Sequence, residues 1–143
     1  MAAMQGPKYG DGDTSFQAAG GESGTTRLVD DFYRIMDEEP FAAAVRRMHP
    51  ADLAISRDKL ARFLCGWLGG PKRYAEKYGP IRIPAAHGHL RIGRDDRNAW
   101  LACMREAIAR QPYTPEFGRY LLEQLAVPAD RVLAASRDPL ELV

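Results

Sequence analysis

From Gly93 onward the chain carries Trp100, Cys103, Met104, Ala107 and Ile108 at the three-and-four spacing of one helical face. Charged residues occupy the opposite face, so this stretch must bury one side against something else. Three more stripes repeat the pattern. Val29, Phe32, Tyr33 and Met36 form one between Thr26 and Glu39, ended by Pro40. Leu60, Phe63, Leu64, Trp67 and Leu68 form another, with Ser56 as its expected N-cap and Gly69-Gly70-Pro71 as its stop. The last opens at Thr114-Pro115-Glu116, a cap followed by proline at the first helical position, and runs through Phe117, Tyr120, Leu121, Gln124 and Leu125. Pro128 is expected to kink it or break it in two, with Val132 and Leu133 in the second piece. No segment alternates with period two. The chain is therefore expected to be all-α, with four substantial helices and looser turns between them.

The breakers fill in the rest. Residues 1–13 are Gly-rich and weakly apolar and read as a mobile tail. A helical turn is expected at Ser15–Ala19 before Gly20-Gly21, and a short helix or turn at Phe41–Val45. Met48-His49-Pro50 is expected to be extended, because a residue before proline avoids the helical region. Gly79, Pro80, Pro84 and Gly88 predict short turns rather than one long helix over residues 72–92.

At 143 residues, 45% of them hydrophobic, there is material for one domain and one core. Twenty basic and 19 acidic residues are interspersed, which argues against a nucleic-acid partner. No apolar run approaches a membrane span, and the first residues lack an apolar signal core, so a cytoplasmic protein is expected. Cys65 and Cys103 then read as reduced core thiols with nothing basic beside them.

What remains unexplained by packing is a set of polar rings. Tyr33 and Trp100 sit on inward-facing stripes, and each carries a donor that needs a partner once buried. His49 stands in a turn with a proline behind it. His87 lies on an irregular piece, His87-Gly88-His89-Leu90-Arg91-Ile92-Gly93, ahead of the Trp100 helix. A single histidine is how some proteins hold haem iron. His89 is the rival ligand, two residues away and so pointing elsewhere in a turn. Packing alone can account for Tyr33 and Trp100 as core residues, and for Lys59 as a surface charge.

Several strings resemble the group II truncated haemoglobins: Leu28-Val29-Asp30-Asp31-Phe32-Tyr33, His49-Pro50-Ala51-Asp52-Leu53, Phe63-Leu64-Cys65-Gly66-Trp67-Leu68-Gly69-Gly70-Pro71, and Asp96-Arg97-Asn98-Ala99-Trp100-Leu101-Ala102-Cys103-Met104. So does His87 with Ile92-Gly93 after it. The resemblance spans roughly residues 14–137, leaving 138–143 as a C-terminal tail. It implies a truncated globin, a two-over-two helical sandwich around haem b (iron protoporphyrin IX). It also implies roles. His87 resembles the proximal iron ligand, and Tyr33, His49 and Trp100 resemble the groups facing a bound ligand. Ser56 and Leu60 match the positions over the iron, so that helix supplies no distal histidine. Lys59 and Tyr74 match positions that reach haem propionates, and Phe63, Ile92 and Met104 match residues lining the macrocycle.

There are departures. Ala86 stands where the group usually has an arginine for a propionate, leaving Arg82 or Arg57 to substitute, and His89 is unexpected. The implied function is binding of O2, CO, NO or peroxide in a polar Tyr/Trp/His pocket, in the service of redox or reactive nitrogen and oxygen detoxification. An NO dioxygenase or peroxidase is one alternative and needs an external reductase, since the chain has no flavin or nicotinamide domain. An O2 carrier or sensor without turnover is another. A monomer or weak homodimer is expected.

Overall fold

The computed structural model describes residues 8–80 and 92–135. Seven α-helices occur among these residues: α1 (Thr14–Ala18), α2 (Gly21–Glu38), α3 (Ala43–Arg47), α4 (Ala54–Trp67), α5 (Arg73–Tyr78), α6 (Arg94–Ala109) and α7 (Pro115–Ala135), with a 3₁₀ turn at Pro40–Ala42. No strand occurs among them.

The expected stripes become the core. Leu28, Val29, Phe32, Tyr33 and Met36 of α2 are buried, as are Cys103, Met104, Ala107 and Ile108 of α6 and Phe117, Leu121 and Leu125 of α7. Helix α2 is the hub. Both α4 and α6 pack on it, and α7 packs on α6.

Local chemistry sets the helix ends. Thr114 Oγ1 accepts the Phe117 N–H at 3.1 Å, the cap expected at the start of α7. At the start of α6 the Asp96 carboxylate reaches back to the Gly93 N–H at 2.9 Å. Helix α4 departs from expectation. Ser56 lies inside it, and Asp52 Oδ1 instead accepts the Ala54 N–H at 2.9 Å. Two helices begin or end elsewhere than the breakers suggest. Helix α2 starts at Gly21, a turn before Thr26, because Gly24 lets the α1 end approach: a Cβ there would overlap the Ala19 carbonyl. Helix α7 continues through Pro128 instead of breaking. The hydrogen bond that proline removes would have ended on the Gln124 carbonyl, and Gln124 is exposed, so water can take its place.

Two loops also differ. Met48 and His49 continue to turn rather than extend, their N–H groups donating to Val45 and Arg46 carbonyls at 3.0 and 3.1 Å. Residues 8–13, expected within a mobile tail, form turns. Tyr9 packs 5.1 Å from Phe117 and 5.0 Å from Tyr120, between ring centroids.

Candidate functional site

Helices α4 and α6 both pack on α2 but barely touch each other. Among the described residues, two helices that pack on a third with few contacts to each other bound a crevice over that third helix, α2. Its walls are apolar and incompletely covered. Leu60, Phe63 and Trp67 of α4 and Ala99 and Trp100 of α6 are only partly buried where they pack against the core, and in α4 only Leu64 and Cys65 are buried outright. Large apolar side chains stranded half-exposed along facing helices are a costly arrangement unless something flat and apolar covers them.

The polar end of this crevice is built around Tyr33. The side chain is 4% exposed, with Phe32 edge-on at 4.9 Å and the His49 ring edge-on at 5.8 Å. Phe32 in turn meets Trp100 edge-on at 5.1 Å. Three of the expected site residues, from α2, the α3–α4 loop and α6, are therefore joined in one chain of ring contacts, His49 to Tyr33 to Phe32 to Trp100. Among the described residues the Tyr33 hydroxyl has no hydrogen-bond partner. Burial pushes its pKa well above the ordinary tyrosine value, with the Arg57 charge opposing weakly, so it stays a neutral O–H donor.

A second cluster forms where α5 meets α4. Asp58 accepts from Arg62 Nε at 2.9 and 3.0 Å, Lys77 Nζ at 2.8 Å and the Tyr78 hydroxyl at 2.5 Å. Bonds from Lys77, then Tyr78, then Arg62 hold its carboxyl far below the usual carboxylate range. Lys59 Nζ sits 5.3 Å above the Tyr78 ring, and Tyr74 lies 5.1 Å from the same ring. Lys59 and Tyr74 thus both contact Tyr78.

The bacterial-like globin family model matches residues 14–131. The chain is 31% identical over 109 residues to a group 2 truncated hemoglobin of Bacillus subtilis, an overlap of 76% of this chain and 80% of that one. Among solved structures, a cold-adapted truncated hemoglobin from the Antarctic marine bacterium Pseudoalteromonas haloplanktis superposes with a TM-score of 0.80 at 28% identity, covering 83% of this chain and 96% of its own. A group II 2-on-2 hemoglobin from Agrobacterium tumefaciens gives a TM-score of 0.74 at 32% identity over 90% and 97% of the two chains. The chain belongs to the group II truncated haemoglobins.

A truncated haemoglobin binds small gaseous ligands at haem, and the crevice suits that group. Apolar walls match the macrocycle faces, and the mostly buried Tyr33 side chain, whose hydroxyl has no hydrogen-bond partner among the described residues, stands at the polar end. Not every expected contact of this globin has the same standing. Leu60, Phe63 and Ile92 keep some surface open, whereas Met104 is wholly buried within the core. His87, with Arg82, Ala86 and His89, lies outside the described residues. Cys65 and Cys103 are buried free thiols, and burial raises both, Cys103 to about 11, so neither is a ready nucleophile. No described helix is long and apolar enough to cross a membrane.

Sequence reading missed the Asp58 cluster. The Asp58/Arg62 spacing of four was a visible helix-surface pair. Its recruitment of Lys77 and Tyr78 from α5 had no signature in the chain.

Proposed function

We propose that this globin holds haem b in the α4–α6 crevice with His87 as the iron ligand, and acts in redox or reactive nitrogen and oxygen detoxification rather than O2 transport. The observation that carries the reading is the set of half-covered apolar side chains on α4 and α6, with the Tyr33 hydroxyl unpartnered among the described residues at one end. Leu60, Phe63 and Ile92 would touch the macrocycle faces, with Met104 completing the wall behind them. Lys59 and Tyr74, both in contact with Tyr78, would meet the propionates, and with alanine at position 86 they would carry more of that task. When bound, the iron supplies a coordination position for a diatomic ligand or peroxide and can exchange single electrons.

The protein's part is to surround that ligand with directed polar groups. Tyr33 and Trp100 can each donate one hydrogen bond, and His49 stands beside Tyr33. A donor bond in a dry site contributes about 1–3 kcal/mol when the acceptor bears charge. Two such bonds slow release by more than tenfold, since 1.4 kcal/mol corresponds to a factor of about ten. Slow release suits a reaction at the site better than delivery. NO dioxygenase or peroxidase turnover with an external reductant is the enzymatic form of this reading.

The test is reconstitution with haem. The loaded protein should show a five-coordinate ferrous spectrum that His87→Ala abolishes and His89→Ala keeps. Loss of the spectrum in His89→Ala instead would move the ligand, and no spectrum in the wild type would end the haem reading.

A further inference from the structure

Helices α6 and α7 run antiparallel, tied at one end by Arg97 and Asp130 at 2.6 Å and joined at the other by residues 110–114. Along the seam between them lie two adjoining hollows of about 370 and 420 Å³ that share Arg105 and Leu122, so they form one shallow groove. Pro115 and Arg119 line the first hollow and Glu123 lines the second. Val127, 47% exposed, continues the same row one turn on. These four residues are spaced by four and make a single ridge of α7, and all of them are exposed. Arg119 and Glu123 stand at pairing distance in sequence, but neither side chain has an ion pair or hydrogen bond among the described residues. Arginine ahead of glutamate is the weaker order for such a pair along a helix.

The ridge reads apolar, base, acid, apolar. Reversed, it complements itself. Laid antiparallel on a second copy, Arg119 of each chain falls opposite Glu123 of the other, and Pro115 of each falls opposite Val127. Leu122, one residue from the centre of the ridge, falls beside the symmetry axis. A two-fold contact requires this kind of self-complementarity, and ridges of residues four apart pack together in the commonest helix crossing. We propose that the α6–α7 groove is the interface of a homodimer, with the two α7 helices antiparallel across a two-fold axis and Arg119 paired with Glu123 twice. The charges set register and orientation, while the half-buried Leu101 and Leu122 supply the apolar centre. None of the residues proposed for haem takes part, so the interface stands or falls apart from that reading.

The experiment is analytical ultracentrifugation of the full chain over a concentration series. The wild type should show a reversible monomer–dimer equilibrium. Arg119→Glu and Glu123→Arg, each placing like charges across the axis, should each raise the dissociation constant by roughly tenfold or more. Neither residue has a side-chain partner within the fold, so helical circular dichroism should be unchanged in both. Mixing the two variants should restore a dimer, because one copy then brings two acids to the ridge and the other two bases. The double variant, Arg119→Glu with Glu123→Arg, should dimerise as the wild type does. A wild type that stays monomeric, a dimer that neither single variant weakens, or weakening without recovery on mixing overturns the proposal.

Discussion

Tyr33→Phe separates a ligand-binding tyrosine from a core tyrosine, because the two roles predict opposite effects of one lost oxygen. The ring is kept, so the edge contacts to Phe32 at 4.9 Å and to His49 at 5.8 Å survive. A core tyrosine whose hydroxyl was paired would lose about 1 kcal/mol of stability, plus the penalty of any partner left unsatisfied. Here the hydroxyl has no partner among the described residues, so the ligand-free protein should keep its stability to within about 0.5 kcal/mol or gain slightly. The oxygen complex should pay instead. Removing one donor worth about 1.5–3 kcal/mol speeds O2 release by roughly tenfold to more than a hundredfold. Because burial raises the hydroxyl well above its ordinary pKa, the donor is intact through neutral and mildly alkaline solution, and the effect should not vary with pH there. Stopped-flow O2 release and urea unfolding on the same preparation give both numbers. A variant destabilised by about 1 kcal/mol or more, with unchanged release, would place Tyr33 in the core alone.

Trp100→Phe should also speed O2 release, since it keeps an aromatic edge for Phe32 and loses the indole N–H; an unchanged release rate removes Trp100 from the ligand's surroundings. Asp58 binds its proton far more weakly folded than unfolded, so its contribution is present above the ordinary carboxylate pKa and is lost as pH falls through that range and below. Amide exchange in α5 should therefore accelerate on acidification, and Asp58→Asn should show fast exchange already at neutral pH. Gly69 has φ +97°, and a Cβ there would overlap the Gly12 carbonyl, so Gly69→Ala should lower unfolding stability by about 2 kcal/mol or more; a neutral result in urea would mean the N-terminal turn moves away at little cost.

The helical stripes were legible because burial on one face imposes its period on the sequence. The departures share a cause: a local rule met a partner that only the folded chain supplies. Pro128 looked like a break, but its missing bond falls on exposed Gln124. Gly24 admits the Ala19 carbonyl and lets α2 begin before the apolar stripe does. Ser56 looked like a cap, but Asp52 reached the helix end first. Tyr9 sat in a weakly apolar stretch that gave no hint of Phe117 and Tyr120.

Of the proposed site, the inward-facing positions were legible in the sequence and the gap between helices was not. Periodicity marks Phe63, Trp67 and Trp100 as inward-facing in the same way as Phe32 and Leu64, because a stripe records which face avoids water and not what covers it. Only the arrangement of helices distinguishes them. Phe32 and Leu64 are sealed by protein, while Phe63, Trp67 and Trp100 stand on α4 and α6, which share α2 and, among the described residues, have few contacts with each other. An apolar ligand of macrocycle size is, for this chain, a missing piece of core. Its removal should therefore cost stability as a core deletion does, through exposed apolar area, and the loss should fall on α4 and α6 before α7, whose buried Phe117, Leu121 and Leu125 lie in the sealed part of the fold. Amide exchange compared between loaded and haem-stripped protein reads this directly: protection lost first in α7 would mean that the crevice is not where the core is incomplete.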